Sequence, residues 1–181
     1  MIYVFLANGF EEIEAIATID VLRRAELETV TVGVGAREII GAHGIKITAD
    51  KQTTDLVTFS DVDAVVLPGG MPGTLNLEKD KVVRKFIEFA ECNGRLIAAI
   101  CAAPSILGHM GLLEGKKATC FPGFEEQLMG AEYIDESVVR DGNLITAKGA
   151  GVAIDFGLEI VKVFAGDMEA KRMRNAMQCA R

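Results

Sequence analysis

Of the four cysteines in this 181-residue sequence, at positions 92, 101, 120 and 179, Cys101 stands where a thiol can do chemistry. It closes the apolar run Arg95–Ile100 (RLIAAI) and precedes Ala102-Ala103-Pro104. Proline suits the first turn of a helix, where its missing N–H is not needed, so Cys101 falls at a strand-to-helix corner. A side chain at such a corner faces the unpaired N–H groups of the first helical turn. The small neighbours Ala99, Ala102 and Ala103 admit a tight turn. This is the pattern of a nucleophile elbow, in which the residue after the nucleophile also donates its N–H to an oxyanion. A helix N-terminus lowers a thiol pKa and favours the thiolate, which is the nucleophilic and oxidisable form. The same residues also fit an inert buried thiol that simply ends a strand.

Two further groups could join that thiol. Pro68-Gly69-Gly70 ends a second apolar run, and glycines let a backbone approach a ligand closely and turn its N–H groups into an anion nest; the plainer reading is a strand-ending turn. Glu11, Glu12 and Glu14 crowd the start of a helical segment, where the helix dipole favours negative charge. Glu11 and Glu12 are read as solvated dipole partners. Glu14 lies on the crevice side of the same turn. A carboxylate beside a thiolate would be repelled, so Glu14 assists Cys101 only by keeping its proton and donating a hydrogen bond to sulfur. That coupling raises the carboxyl pKa and lowers the thiol pKa.

The elements that must position these groups alternate along the chain. Apolar β-type runs at Ile2–Ala7, Thr29–Val34, Asp63–Leu67, Arg95–Ile100 and Asn143–Ala147 read as strands. Helical spacing appears over Glu11–Arg24 (Ile13, Ile16, Ile19, Leu22), Asp80–Glu91, Pro104 to about Met110, and Ile154–Ala165. Strands alternating with helices predict an α/β fold with a mostly parallel sheet and helices on both faces. The segments 39–50 and 117–140 break the alternation and are read as hairpin or edge insertions. With no repeat and no long linker, residues 1–181 are expected to form a single domain. Ligands in such sheets bind beyond the carboxyl ends of the strands. The turns Asn8–Glu14, Pro68–Gly73 and Cys101–Pro104 all leave those ends, so one crevice is predicted to collect them.

Composition narrows the partners. A net charge of −7 with scattered Lys and Arg argues against nucleic acid, whose binding needs a basic face. The one dense basic run, Lys171-Arg172-Met173-Arg174, is read as charge favouring a helix C-terminus. No apolar run approaches the roughly 20 residues that cross a bilayer, and Met1-Ile2-Tyr3-Val4 opens on strand-like residues without a charged leader. A cytoplasmic location with free thiols and no membrane partner is expected. None of the cysteines forms a C-x-x-C pair, and two histidines give no zinc set at finger spacing, so no metal is expected.

The stretches ANGFEEIEA (7–15), VVLPGG (65–70) and AAICAAP (98–104), in this order and with TAKGAG at 146–151, resemble the ThiJ/PfpI superfamily and most closely its DJ-one branch. The resemblance covers nearly the whole chain. It implies a flavodoxin-like sandwich assembled as a homodimer, with Cys101 as the reactive cysteine and Glu14 as the carboxylic acid touching it. Gly70 and Ala102 would supply oxyanion-binding amides, Gly69 would shape their turn, and Arg24 would lie on the dimer-facing side of the site. Two departures stand out. Ala102 occupies the place of a histidine in the protease-like branch, so no adjacent general base is supplied and peptide hydrolysis is disfavoured. Phe121 stands where DJ-one relatives often carry a histidine before the proline matching Pro122. His43 falls near the position of an arginine that reaches into the partner's site, and is either a second-subunit contact or a surface histidine between Gly41 and Gly44; His109 is read as structural.

The activity this resemblance implies is cofactor-independent detoxification of small reactive aldehydes and dicarbonyls, of glyoxalase or deglycase type, converting methylglyoxal to lactate. Thiolate addition suits a site without histidine, because one carboxyl can serve as both acid and base. The alternative is a redox-sensing, stress-protective chaperone that uses the same cysteine, with the surrounding N–H groups holding a sulfinate.

Overall fold

In the computed structural model, residues 1–179 are described. In chain order the elements are β1 (Ile2–Leu6), α1 (Glu12–Arg24), β2 (Thr29–Gly33), β3 (Glu38–Ile40), β4 (Lys46–Thr48), β5 (Lys51–Gln52), β6 (Ala64–Leu67), α2 (Gly73–Lys79), α3 (Lys81–Cys92), β7 (Leu96–Ile100), α4 (Pro104–His109), β8 (Lys117–Ala118), β9 (Glu132–Tyr133), β10 (Val138–Asp141), β11 (Leu144–Ala147) and α5 (Ala153–Ala176). Seven strands form the central sheet in the order β10-β11-β7-β6-β1-β2-β5. All neighbouring pairs are parallel except β10 with β11.

The continuous apolar strands owe their sequence to burial on both faces. Along β1, Ile2, Val4 and Leu6 point into one core and Tyr3 and Phe5 into the other. The first core packs under α1 and α5, through Ile19, Leu22, Phe156 and Ile160. The second packs under α2, α3 and α4, through Leu77, Phe86, Ile87 and Ile106. Phe86 meets Phe5 edge-on at 5.1 Å between ring centroids, a geometry that adds to burial. The fold class is the predicted one.

The two segments that broke the alternation are insertions. β3 and β4 form an antiparallel hairpin; β8 and β9 make a separate two-stranded pair, and β10 supplies the antiparallel edge. The sequence reading lacked two features. The short α2 carries too few apolar residues (Leu75, Leu77) to show a period, and a second helical stretch of α5 follows the expected end at Ala165. Gly166, at φ 85 and ψ 168, breaks it there, and the following turns return Met173 to the core. Among the described residues no helix is long and apolar enough to cross a membrane.

The order of strands places β1 between β2 and β6, so successive crossovers leave it in opposite directions. The crevice at that reversal lies beyond the carboxyl ends of β1 and β6. The Gly-rich turn after β6 and the cysteine after β7 therefore open onto the same place as the start of α1.

Candidate active site

Cys101 is held in the left-handed region at φ 65, a conformation that costs a non-glycine residue on the order of 1 kcal/mol. Its backbone is fixed on two sides: its N–H donates to the Ala147 carbonyl at 2.8 Å, and its carbonyl accepts from the Phe121 N–H at 2.8 Å. Pro104 starts α4 as expected. The elbow turns the sulfur toward the N–H groups of Gly70 and Ala102, which donate to it. Those are the two amides expected to face an oxyanion.

The glycine turn can approach only because side chains are missing there. A Cβ on Gly69 would lie 2.6 Å from the Cβ of Cys101 and 2.8 Å from Oε2 of Glu14. Gly70 sits at φ 91, and a Cβ on it would meet the Gly9 carbonyl oxygen at 2.6 Å. The turn after β1 is tied to this one by Glu11 N–H donating to the Gly69 carbonyl at 2.9 Å and Gly73 N–H to the Gly9 carbonyl at 3.1 Å. The three predicted turns do share one crevice.

Glu14, at 1% exposure, lies in α1's first turn. Its Oε2 accepts the Gly69 N–H at 2.9 Å. Burial raises its carboxyl pKa to about 7, against the lowering effect of hydrogen bonds from Cys101 and Gly69, and the charge of Glu11 adds to the rise. The thiol moves the opposite way from the expectation. Burial pushes Cys101 up to about 12, helped by the negative charge of Glu14 and by the S–H bond donated to it, and the amides of Gly70 and Ala102 offset only part of this. The site therefore holds a neutral thiol hydrogen-bonded to a carboxyl that titrates near neutrality. Desolvation, which no local feature of the sequence signals, outweighs the amides here.

Glu12 also departs from expectation. It is buried, and its Oε1 accepts the His43 N–H at 2.8 Å and the Ile45 N–H at 3.4 Å, while Oε2 lies 2.9 Å from the His43 ring Nδ1. Although burial opposes ionisation, these bonds hold its carboxyl below the usual range. Glu12 thus anchors the turn between β3 and β4 rather than facing solvent, and Glu11 is itself half-buried. His43 remains 68% exposed in its side chain and is raised in pKa by its bond to Glu12. Glu11, Glu12 and His43 are the described group whose ligand atoms could converge on a metal, and Oε1 of Glu12 already accepts two backbone N–H bonds.

Arg24 is not brought to the sulfur within one chain. It lies ten residues beyond Glu14, about 15 Å along the helix, where it pairs with Asp20. His109 bonds Glu78 at 2.7 Å through Nδ1, away from the thiol. All four cysteines are free. A wall of the site went unrecognised in the sequence. Because β11 pairs with β7, the loop after β11 emerges beside Cys101, and there a Cβ on Gly149 would lie 3.2 Å from the Phe121 ring and 3.7 Å from Glu14 Oε1.

An α/β sandwich that presents a thiol on a strained elbow at the switch point of its sheet, against a buried carboxyl, defines a cysteine-elbow protein of flavodoxin-like fold. The model of the DJ-1/PfpI family matches residues 1–163. Protein DJ-1 homolog B of Arabidopsis thaliana is 40% identical over 91% of the chain, which spans 38% of that relative's length. Glutathione-independent glyoxalase DJR-1.2 of Caenorhabditis elegans is 34% identical, with 86% of this chain and 83% of that protein covered. The solved structure of oxidized Toxoplasma gondii DJ-1 superposes with a TM-score of 0.95 at 31% identity, covering 99% of this chain and 98% of the other. The chain belongs to the DJ-1/PfpI family.

Proposed function

We propose that the protein converts small α-oxoaldehydes to 2-hydroxy acids through Cys101, as in methylglyoxal to lactate. The observation that carries this reading is the hydrogen-bonded pair of Cys101 and the buried Glu14, with two backbone N–H groups aimed at the sulfur. The name of the C. elegans relative supports it. Glu14 accepts the S–H proton as sulfur adds to the aldehyde carbon, and the oxygen of that carbon, after taking a proton, completes a hemithioacetal. The N–H groups of Gly70 and Ala102 stabilise the transient alkoxide. Glu14 then takes the proton from the former aldehyde carbon and delivers it to the neighbouring carbonyl oxygen, giving an enediol. Protonation of the second carbon and loss of the first hydroxyl's proton leave a thioester. Water cleaves it, returning the thiol and releasing the acid, so the sum is oxoaldehyde plus water. A carboxyl titrating near 7 matches both proton-giving and proton-taking at neutral pH.

The alternative role as a redox-sensing chaperone draws less support from the same geometry. Selective oxidation starts from thiolate, and burial together with the negative charge of Glu14 works against forming it, opposed by the amides of Gly70 and Ala102. Addition to an aldehyde escapes that limit because Glu14 removes the proton during attack. Ala102, in place of a histidine, keeps peptide hydrolysis disfavoured.

The same reading includes a homodimer. Ile13 and Ile16 on α1 and Ile45 beside it are exposed and line an apolar groove of about 560 Å³. α1 carries acidic residues in its first turn and Arg23 and Arg24 in its last. Antiparallel packing of two α1 helices buries the isoleucines and sets the basic end of each against the acidic end of the other, which would bring a second copy's Arg24 toward Glu11 and His43.

The test is lactate formation from methylglyoxal at physiological concentration, comparing the wild type with Cys101→Ala. The expected result is a loss of roughly 10³-fold or more in kcat/KM. Equal turnover by both proteins would overturn the reading.

A further inference from the structure

We infer that the site selects α-oxoaldehydes carrying an apolar substituent larger than methyl, seated against Phe121 and Val152. This inference rests on the proposed reaction and names the substrate class it serves. Three observations carry it. First, Phe121 is 47% exposed although its own N–H is fixed to the Cys101 carbonyl at 2.8 Å, so an aromatic ring is displayed one hydrogen bond from the elbow. Second, the loop after β11 meets that ring: a Cβ on Gly149 would lie 3.2 Å from Phe121 and 3.7 Å from Oε1 of Glu14. The missing side chain leaves a passage from acid to ring. Third, Phe121, Pro122, Gly149, Ala150, Gly151 and Val152 line an open groove of about 380 Å³. Lys148 also lines the groove, and its ammonium is paired with Asp135.

An aldehyde carbon bonded to Cys101 sulfur, with its proton within reach of Glu14, carries its next carbon outward from the amides of Gly70 and Ala102. The substituent on that carbon finds the apolar wall of Phe121 and Val152. A histidine there offers a hydrogen bond to a polar group; a phenylalanine offers area. One extra methylene in an apolar pocket is worth about 10- to 200-fold in kcat/KM, and an aryl or branched alkyl group gains more contact than that. Glyoxal, with only hydrogen at this position, gains none.

The experiment measures kcat/KM of the full-length protein for glyoxal, methylglyoxal and phenylglyoxal, in the wild type and in Phe121→His, Phe121→Ala and Val152→Ser. In the wild type the phenylglyoxal-to-glyoxal ratio is expected to be at least about tenfold above the ratio of their rates with a free small thiol. Each variant should lower that ratio by roughly fivefold or more, whatever happens to absolute rates. A wild-type ratio equal to the free-thiol ratio, or one unmoved by all three variants, overturns the inference while leaving the thiol chemistry standing. Absence of Cys101-dependent turnover on every aldehyde overturns the parent reading instead. Because Phe121 lies at the surface, thermal melts of the variants distinguish a lost wall from a lost fold.

Discussion

At the scale of single residues, the site is a competition between solvent and partners for two protons. Glu14 is removed from water by α1 and the glycine turn, and its carboxyl holds its proton to about pH 7, whereas in the unfolded chain it would release it near 4.5. The folded state therefore binds this proton more tightly. As pH rises from 4.5 toward 7, the unfolded chain gains stability from ionising Glu14 and the folded protein does not, so this residue's contribution falls across that window and levels off above it. Glu14→Gln removes the titration while keeping the shape. Urea denaturation at pH 4.5 and pH 8 should show the wild type losing stability relative to Glu14→Gln by roughly 3 kcal/mol between the two; a pH-independent difference would show that the carboxyl ionises freely. The direction for Glu14 was readable from its place on the crevice side of the turn, where a carboxyl beside the thiol must keep its proton. The rise of the thiol was not, because the residues that exclude water from Cys101 come from β7, β11 and the turn after β6, which only the fold assembles.

At the scale of elements, turns rather than strands hold the chemistry. The continuous apolar runs of β1, β6 and β7 made the sheet legible, since both faces of those strands are covered and every position is apolar. The hairpin β3–β4 was ambiguous because it packs only Ile39 fully and Ile47 partly inward, with the flanking strand residues exposed; α2 was invisible, being two turns long. The burial of Glu12 had no local signal either, as its N–H donors at His43 and Ile45 come from that hairpin. The glycine turn makes the clearest demand. Gly69→Ala would place a methyl within 2.8 Å of both the Cys101 Cβ and Glu14 Oε2, forcing the turn after β6 away from the elbow. Overpacking of this kind costs about 1–3 kcal/mol. Lactate formation should fall at least roughly 100-fold, since displacements of about 1 Å at a reacting centre cost that much, while the far-ultraviolet circular dichroism of the sheet persists. Full activity in Gly69→Ala would mean that the close approach is not needed.

For the whole molecule, the decisive surface is the face of α1. Ile13 and Ile16 would be the weak point of an isolated chain; Glu12 and Asp20 line their apolar groove, and Arg23 and Arg24 follow in the last turn of α1. If two copies meet there, Ile16→Asp places a charge in the centre of the contact, and sedimentation equilibrium at micromolar concentration should report one chain where the wild type reports two. A wild type that sediments as a single chain ends the dimer proposal and removes Arg24 from the site. The edges of the central sheet point the same way. At one margin β5 has only two residues, the first a lysine; at the other, β10 runs against its neighbour and carries Arg140, which pairs with Glu159 at 3.8 Å. Short, charged or reversed margins are poor templates for an incoming strand. A molecule finished in this way resists runaway cross-strand aggregation even at high concentration, and whatever association it undergoes is left to its helices.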